Sequence, residues 1–99
     1  MIPYELTEYE RVEGRWRIAP DIGVSQGEGA FLSPIEIVRA VRHRLRPPDG
    51  EKSFGVLVTF DAVVLFLTTS FIGPDGVTVL DSVTGERYVL GPKPEGSAV

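Results

Sequence analysis

Apolar residues along this 99-residue chain gather in one stretch, Phe54 to Ile72, FGVLVTFDAVVLFLTTSFI, and the segments around it either alternate or turn. The stretch is close to the length of a membrane-spanning helix. Its Val, Phe, Thr and Ile content suits a pleated surface instead, and Asp61 near its middle would cost roughly 2.5 to 3.5 kcal/mol at a bilayer centre. The pattern therefore predicts two neighbouring strands, Phe54–Phe60 and Val63–Ile72, divided at Asp61-Ala62. Asp-Ala lacks the Gly or Asn that a two-residue hairpin favours, so one long strand bulged near Asp61 is the alternative. Neither part alternates cleanly between apolar and polar, which is the pattern of strands covered on both faces.

Towards the N-terminus, Tyr4–Val12 and Arg15–Ile18 read as strands joined by a turn at Glu13-Gly14. Trp16 and Ile18 fall on one face of the second strand and Arg15 and Arg17 on the other, which predicts an inward Trp16 and outward arginines. Residues 19–32 hold Pro20, Gly23, Gly27 and Gly29 and read as a long loop. Gly27-Glu28-Gly29 matches a phosphate-binding glycine motif only in part, since Leu32 stands at the third glycine position and Glu28 would repel phosphate.

Ser33-Pro34-Ile35-Glu36 predicts a helix start: Ser33 at the cap, Pro34 at the first helical position and Glu36 reaching back to the cap. The helix is expected to run to about Arg46, where Pro47-Pro48-Asp49-Gly50 stops it. Ile37, Val38, Val41 and Leu45 form its apolar stripe, and Arg39, Arg42 and Arg46 a basic stripe opposite, with Ile35 on that side and His43 at its margin. Val77–Val83 and Glu86–Leu90 read as a hairpin turning at Thr84-Gly85, and residues 91–99 as an extended tail. The expected architecture is α+β: a single domain over residues 1–90, in which one helix packs on a mainly antiparallel sheet in the order ββ-loop-α-ββββ.

Composition narrows the function. With 42% hydrophobic and 24% charged residues the chain is an ordinary globular one, and the absence of cysteine excludes disulfides and thiolate metal sites. The N-terminus lacks the basic and apolar segments of a signal peptide, so a cytoplasmic, soluble protein is expected. Arg outnumbers Lys eight to two and Asn is absent, a skew that suggests a GC-rich bacterial or phage genome or a thermophilic one. The net charge of −4 is uneven: residues 33–52 carry three acids and five bases, whereas both ends are acidic.

A single histidine, His43, rules out a His-based zinc site within one chain, and no Gly-x-Ser-x-Gly turn presents a nucleophile. No cofactor or metal is expected. The first functional expectation is a non-enzymatic interaction or assembly subunit that forms a homo-oligomer, such as a component of a virion or ring assembly, because the apolar strands exceed what one helix covers. The candidate interaction residues are Ile35, Arg39, Arg42 and Arg46 on the helix, and Arg15, Trp16 and Arg17 on the second strand. The alternatives are a small regulator binding nucleic acid or an acidic protein surface through these basic residues, and a small enzyme with an inter-subunit site around Asp61, whose pKa burial would raise.

Overall fold

The computed structural model describes residues 1–20, 24–74 and 76–91. Among them are seven strands, β1 (Ile2–Val12), β2 (Arg15–Ile18), β3 (Val24–Gly29), β4 (Ser53–Phe60), β5 (Val63–Gly73), β6 (Gly76–Asp81) and β7 (Arg87–Leu90). Between β3 and β4 lie one short helix, α1 (Pro34–Ala40), and a 3₁₀ turn at Arg42–Arg44. The expected ββ-loop-α-ββββ pattern is thereby corrected: the molecule is predominantly antiparallel sheet with seven strands, and the helix is about half its expected length. No helix among the described residues is long and apolar enough to cross a membrane. The expected tail lies outside the described residues from position 92 onward.

Strand β1 organises the sheet. One side pairs with β4 over Tyr4–Arg11, and β4, β5, β6 and β7 follow in order, each antiparallel to the last. The other side is shared. Val12 to Tyr9 pairs with β2, and Thr7 to Ile2 pairs with β3. The residues read as a loop therefore include a strand. Its local sequence, Val-Ser-Gln-Gly-Glu-Gly, has little strand propensity, and pairing along the free half of β1 supplies what propensity does not. The hydrogen bond from the Ala19 N–H to the Glu8 carbonyl, 2.8 Å, holds the chain against β1 after β2.

The glycines of β3 serve packing. A Cβ at Gly27 would strike the Tyr4 ring, and one at Gly29 the Phe31 ring. The two rings meet at 5.8 Å, and Phe31 meets Phe60 edge-on at 5.1 Å. The glycine pair is thus a slot for aromatic rings, which explains its spacing of two.

Tight turns join β1 to β2 and β4 to β5. Glu13 and Gly14 both have positive φ, 52° and 77°, as a hairpin of this hand requires. Asp61-Ala62 is also a two-residue turn, because Phe60 pairs with Val63. Asp61 adopts φ of 54°, a conformation that Asp tolerates better than most residues. The β6–β7 connection is longer than the expected Thr84-Gly85 turn: the Gly85 N–H donates to the Asp81 carbonyl, and the Asp81 N–H to the Glu86 carbonyl.

Strand alternation divides the sheet into a covered and an open face. On the covered face Leu6, Val56, Val58, Phe60, Leu65, Leu67, Val79 and Leu90 form the core with Ile37, Val38 and Val41 of the helical segment. Helix α1 begins as its sequence predicts, with the Glu36 carboxylate accepting from the main-chain N–H groups of Ser33, at 2.9 Å, and of Leu32. It ends early. Val41 caps it, and Leu45 is already extended, with φ −79° and ψ 125°. Pro47 disfavours helical geometry at the residue before it, and the chain's next task is to bring Arg44 and Arg46 down onto a buried acid of β1.

Candidate functional site

That acid is Glu8. Tyr4, Leu6, Glu8 and Glu10 alternate onto the covered face, and both glutamates are buried, 3% and 4% exposed. Arg44 approaches the Glu8 carboxylate at 3.3 Å and Arg46 at 3.7 Å, while Arg17 donates twice to one oxygen of Glu10, at 2.7 and 2.9 Å. The Arg44 Nε is buried without a hydrogen-bond partner among the described residues. These pairs neutralise acids that the strand pattern places under the helical segment, as buried carboxylates require. The sequence reading missed them, although the Tyr4-x-Leu6-x-Glu8-x-Glu10 alternation was the available signal.

A second buried carboxylate cluster sits across the sheet. Asp81 is fully buried, and its side chain accepts from the Phe66 N–H and the Val83 N–H, both at 3.0 Å, and from the Thr84 hydroxyl at 2.9 Å. It locks β6 to β5 and shapes the β6–β7 loop, a structural role. Nearby Tyr88 has its phenol pKa raised above the ordinary value, first by burial and then by the carboxylates of Asp81 and Glu86.

The candidate interaction residues do not form one surface. Ile35, expected beside the basic stripe, packs against the core. Arg39 is exposed on α1, Arg42 lies in the 3₁₀ turn, and Arg46 has left the helix to stack on the Phe54 ring at 4.9 Å. The early end of α1 breaks the stripe, since a stripe needs a continuous helical period. His43 is exposed.

On β2 the expected orientation is reversed. Register pairs Trp16 with Arg11 and Ile18 with Tyr9, which places them on the open face, whereas Arg17 turns to the covered side and Glu10. Arg15, opposite Val12, is exposed at the same edge. Trp16 packs on its neighbours without being enclosed: its ring meets Phe66 edge-on at 5.1 Å, and Phe66 meets Tyr9 at 5.9 Å. Gly55 makes room for this cluster, because a Cβ there would collide with the Phe66 ring.

The open face is the surface that remains. Trp16, Ile18, Val24, Val64, Phe71 and Val89 are exposed on it, with Phe71 64% and Val89 72% accessible, and Tyr9, Leu57, Phe66 and Leu80 are half-buried between them. Scattered apolar residues are ordinary on a protein surface; here aromatic and branched side chains stand together across neighbouring strands. Its charges lie at opposite ends. Glu5 and Glu28 stand at the end near the Asp61 turn, and Arg11 and Arg87 towards the other. Asp61 itself is exposed. A shallow pocket of about 270 Å³ at the acidic end is lined by Glu5, Gln26, Thr59 and Asp61. Among the described residues no group of three or more His, Cys, Asp or Glu side chains could hold a metal ion.

Comparison of the chain with known protein families, with curated proteins and with solved structures gives no match in any of the three.

Proposed function

We propose that this chain is a non-enzymatic assembly subunit that pairs with a second copy through the open face of its sheet. The observation that carries the reading is the one-sided cover: the helical segment shields one face, while Trp16, Phe66, Phe71 and their aliphatic neighbours line the other. Burying such a face removes apolar surface from water at roughly 25 cal/mol per Å².

The charge layout favours a copy of the same chain as occupant. Glu5 and Arg11 share the open side of β1, six residues and therefore about 20 Å apart. A two-fold axis that reverses strand direction sets the acidic end of one sheet over the basic end of its partner, and one patch then satisfies itself twice. The reading that nucleic acid binds along the helix has less to stand on, because Arg39, Arg42 and Arg46 no longer share a helical face. An inter-subunit enzyme site at Asp61 would need an enclosed carboxylate, and Asp61 is exposed at a turn.

The test is mass in solution by light scattering, at low and high salt, for the natural chain and for Val64→Glu/Phe71→Glu. Both substituted side chains are exposed, so the fold is retained. A dimer at both salt concentrations that becomes a monomer in the double variant supports the proposal. A natural chain that is monomeric throughout ends it.

A further inference from the structure

Strands β4 and β5 are paired only between Val56–Leu67 and Phe60–Val63. Before Val56, β4 stays on β1; beyond Leu67, β5 stays on β6 and its register shifts between Thr69 and Phe71. The sheet therefore parts, and the gap forms a cavity of about 170 Å³. Side chains from both faces line it: Arg46, Phe54 and Thr69 from the covered side, and Arg11, Trp16 and Thr68 from the open side.

By strand alternation, main-chain groups face the gap as well. The Phe66 N–H donates to Asp81 and its carbonyl accepts from Ser82, both towards β6. Alternation along an antiparallel strand then aims Leu67 and Thr69 at β4, and Val56 and Phe54 at β5. Phe54 and Thr69 would be the next pair to exchange hydrogen bonds, but the ladder has ended.

Two cations flank these groups, each laid on an aromatic ring. The Arg11 guanidinium lies 5.9 Å from the Trp16 ring centre and that of Arg46 4.9 Å from the Phe54 ring centre. Stacking holds a guanidinium flat and directs its N–H fork sideways, the geometry that grips an oxyanion. Glu8 lies 3.7 Å from Arg46 and is shared with Arg44. Arg11 has no carboxylate within ion-pair distance among the described residues, and none lines the cavity.

From the joining of two guanidiniums, each over an aromatic ring, with threonine hydroxyls at the end of the β4–β5 ladder in one small gap, we infer that this is a binding site for a phosphate-type oxyanion. The group enters the parting of the sheet, its oxygens accepting from Arg11, Arg46 and the main chain. The site borders the face on which copies are proposed to pair, since Arg11 and Trp16 belong to both.

Trp16 is the only tryptophan in the protein, so its emission reports on this gap and on the open face beside it, and mass measured in the same samples tells the two apart. The experiment titrates the full chain with inorganic phosphate at constant ionic strength, with sodium chloride and sodium acetate titrations beside it. A saturable change in Trp16 emission with phosphate is expected, and none with chloride or acetate. Arg11→Gln, exposed and therefore free to fold, should weaken phosphate binding roughly tenfold, the loss of one charge-assisted contact, with an unchanged circular dichroism spectrum. No saturable phosphate response, an equal response to acetate, or an unchanged affinity in Arg11→Gln overturns the site. Mass measured in the same samples separates the two proposals: a dimer indifferent to phosphate sinks the site and leaves the assembly reading standing, and a phosphate-binding monomer does the reverse.

Discussion

The two faces of this sheet are built from the same strands and have opposite fates. On the covered face Val56, Val58, Leu65 and Leu67 are at most 2% exposed beneath the helical segment. One residue further along the same strands, Leu57, Val64 and Phe66 look outward, and Val64 is 45% exposed. Their composition hardly differs, because both faces draw on one apolar run. What differs is the cover. The strand pair is apolar on both sides, and the chain itself covers one of them; the other is the side proposed to pair with a second copy.

The contrast can be broken by substitution. Leu67→Ala opens a cavity in the covered face and should cost about 2 to 5 kcal/mol, whereas Val64→Ala should change monomer stability by no more than about 0.5 kcal/mol. Urea denaturation at low protein concentration measures both. Equal losses would mean that the open face is already buried in the monomer, which would falsify the two-face description.

Asp81 tests the polar part of the covered face. Asp81→Ala removes the acceptor for two main-chain N–H groups and the Thr84 hydroxyl, at an expected cost of about 1 to 3 kcal/mol. Amide exchange at Phe66 and Val83 should accelerate with it. Gly29→Ala sharpens the account of β3 as an aromatic slot. Forcing the Phe31 ring aside should destabilise by about 1 to 3 kcal/mol and alter the near-ultraviolet dichroism, and an unperturbed spectrum would show that Phe31 is not held there. Glu36→Ala should cost about 1 kcal/mol by freeing the N–H groups of Leu32 and Ser33.

The smallest effect is set by pH. With its folded pKa raised, Tyr88 favours the folded state in its neutral form. That contribution is complete below the unfolded value of about 10 and is lost as pH rises through the higher folded value. Tyr88→Phe should therefore lose less stability than the natural chain across that alkaline window. Denaturation profiles on either side of it provide the check, and identical alkaline slopes would remove Tyr88 from the account.

Local chemistry was legible where it acts over a few residues. Ser33-Pro34-Ile35-Glu36 starts a helix because its hydrogen bonds close within one turn, and the β1–β2 hairpin forms where Glu13-Gly14 supplies positive φ. The apolar run contained two strands because its β-branched and aromatic side chains suit a pleated surface. The rest depended on partners far along the chain. Val24–Gly29 is a strand only because the free half of β1 lies beside it, and α1 stops short because Arg44 and Arg46 descend to Glu8, thirty-six residues from Arg44. The same long-range pairing turned Trp16 to the open face: alternation grouped it correctly with Ile18, but which side the helix would cover is a property of the assembled sheet. The gap between β4 and β5 had no sequence signature at all, since it arises where two strands follow different neighbours. Hydrogen bonds and turns closed within a few residues speak from the sequence; the choice of face, and the sites made between strands, wait on contacts that only the folded sheet brings together.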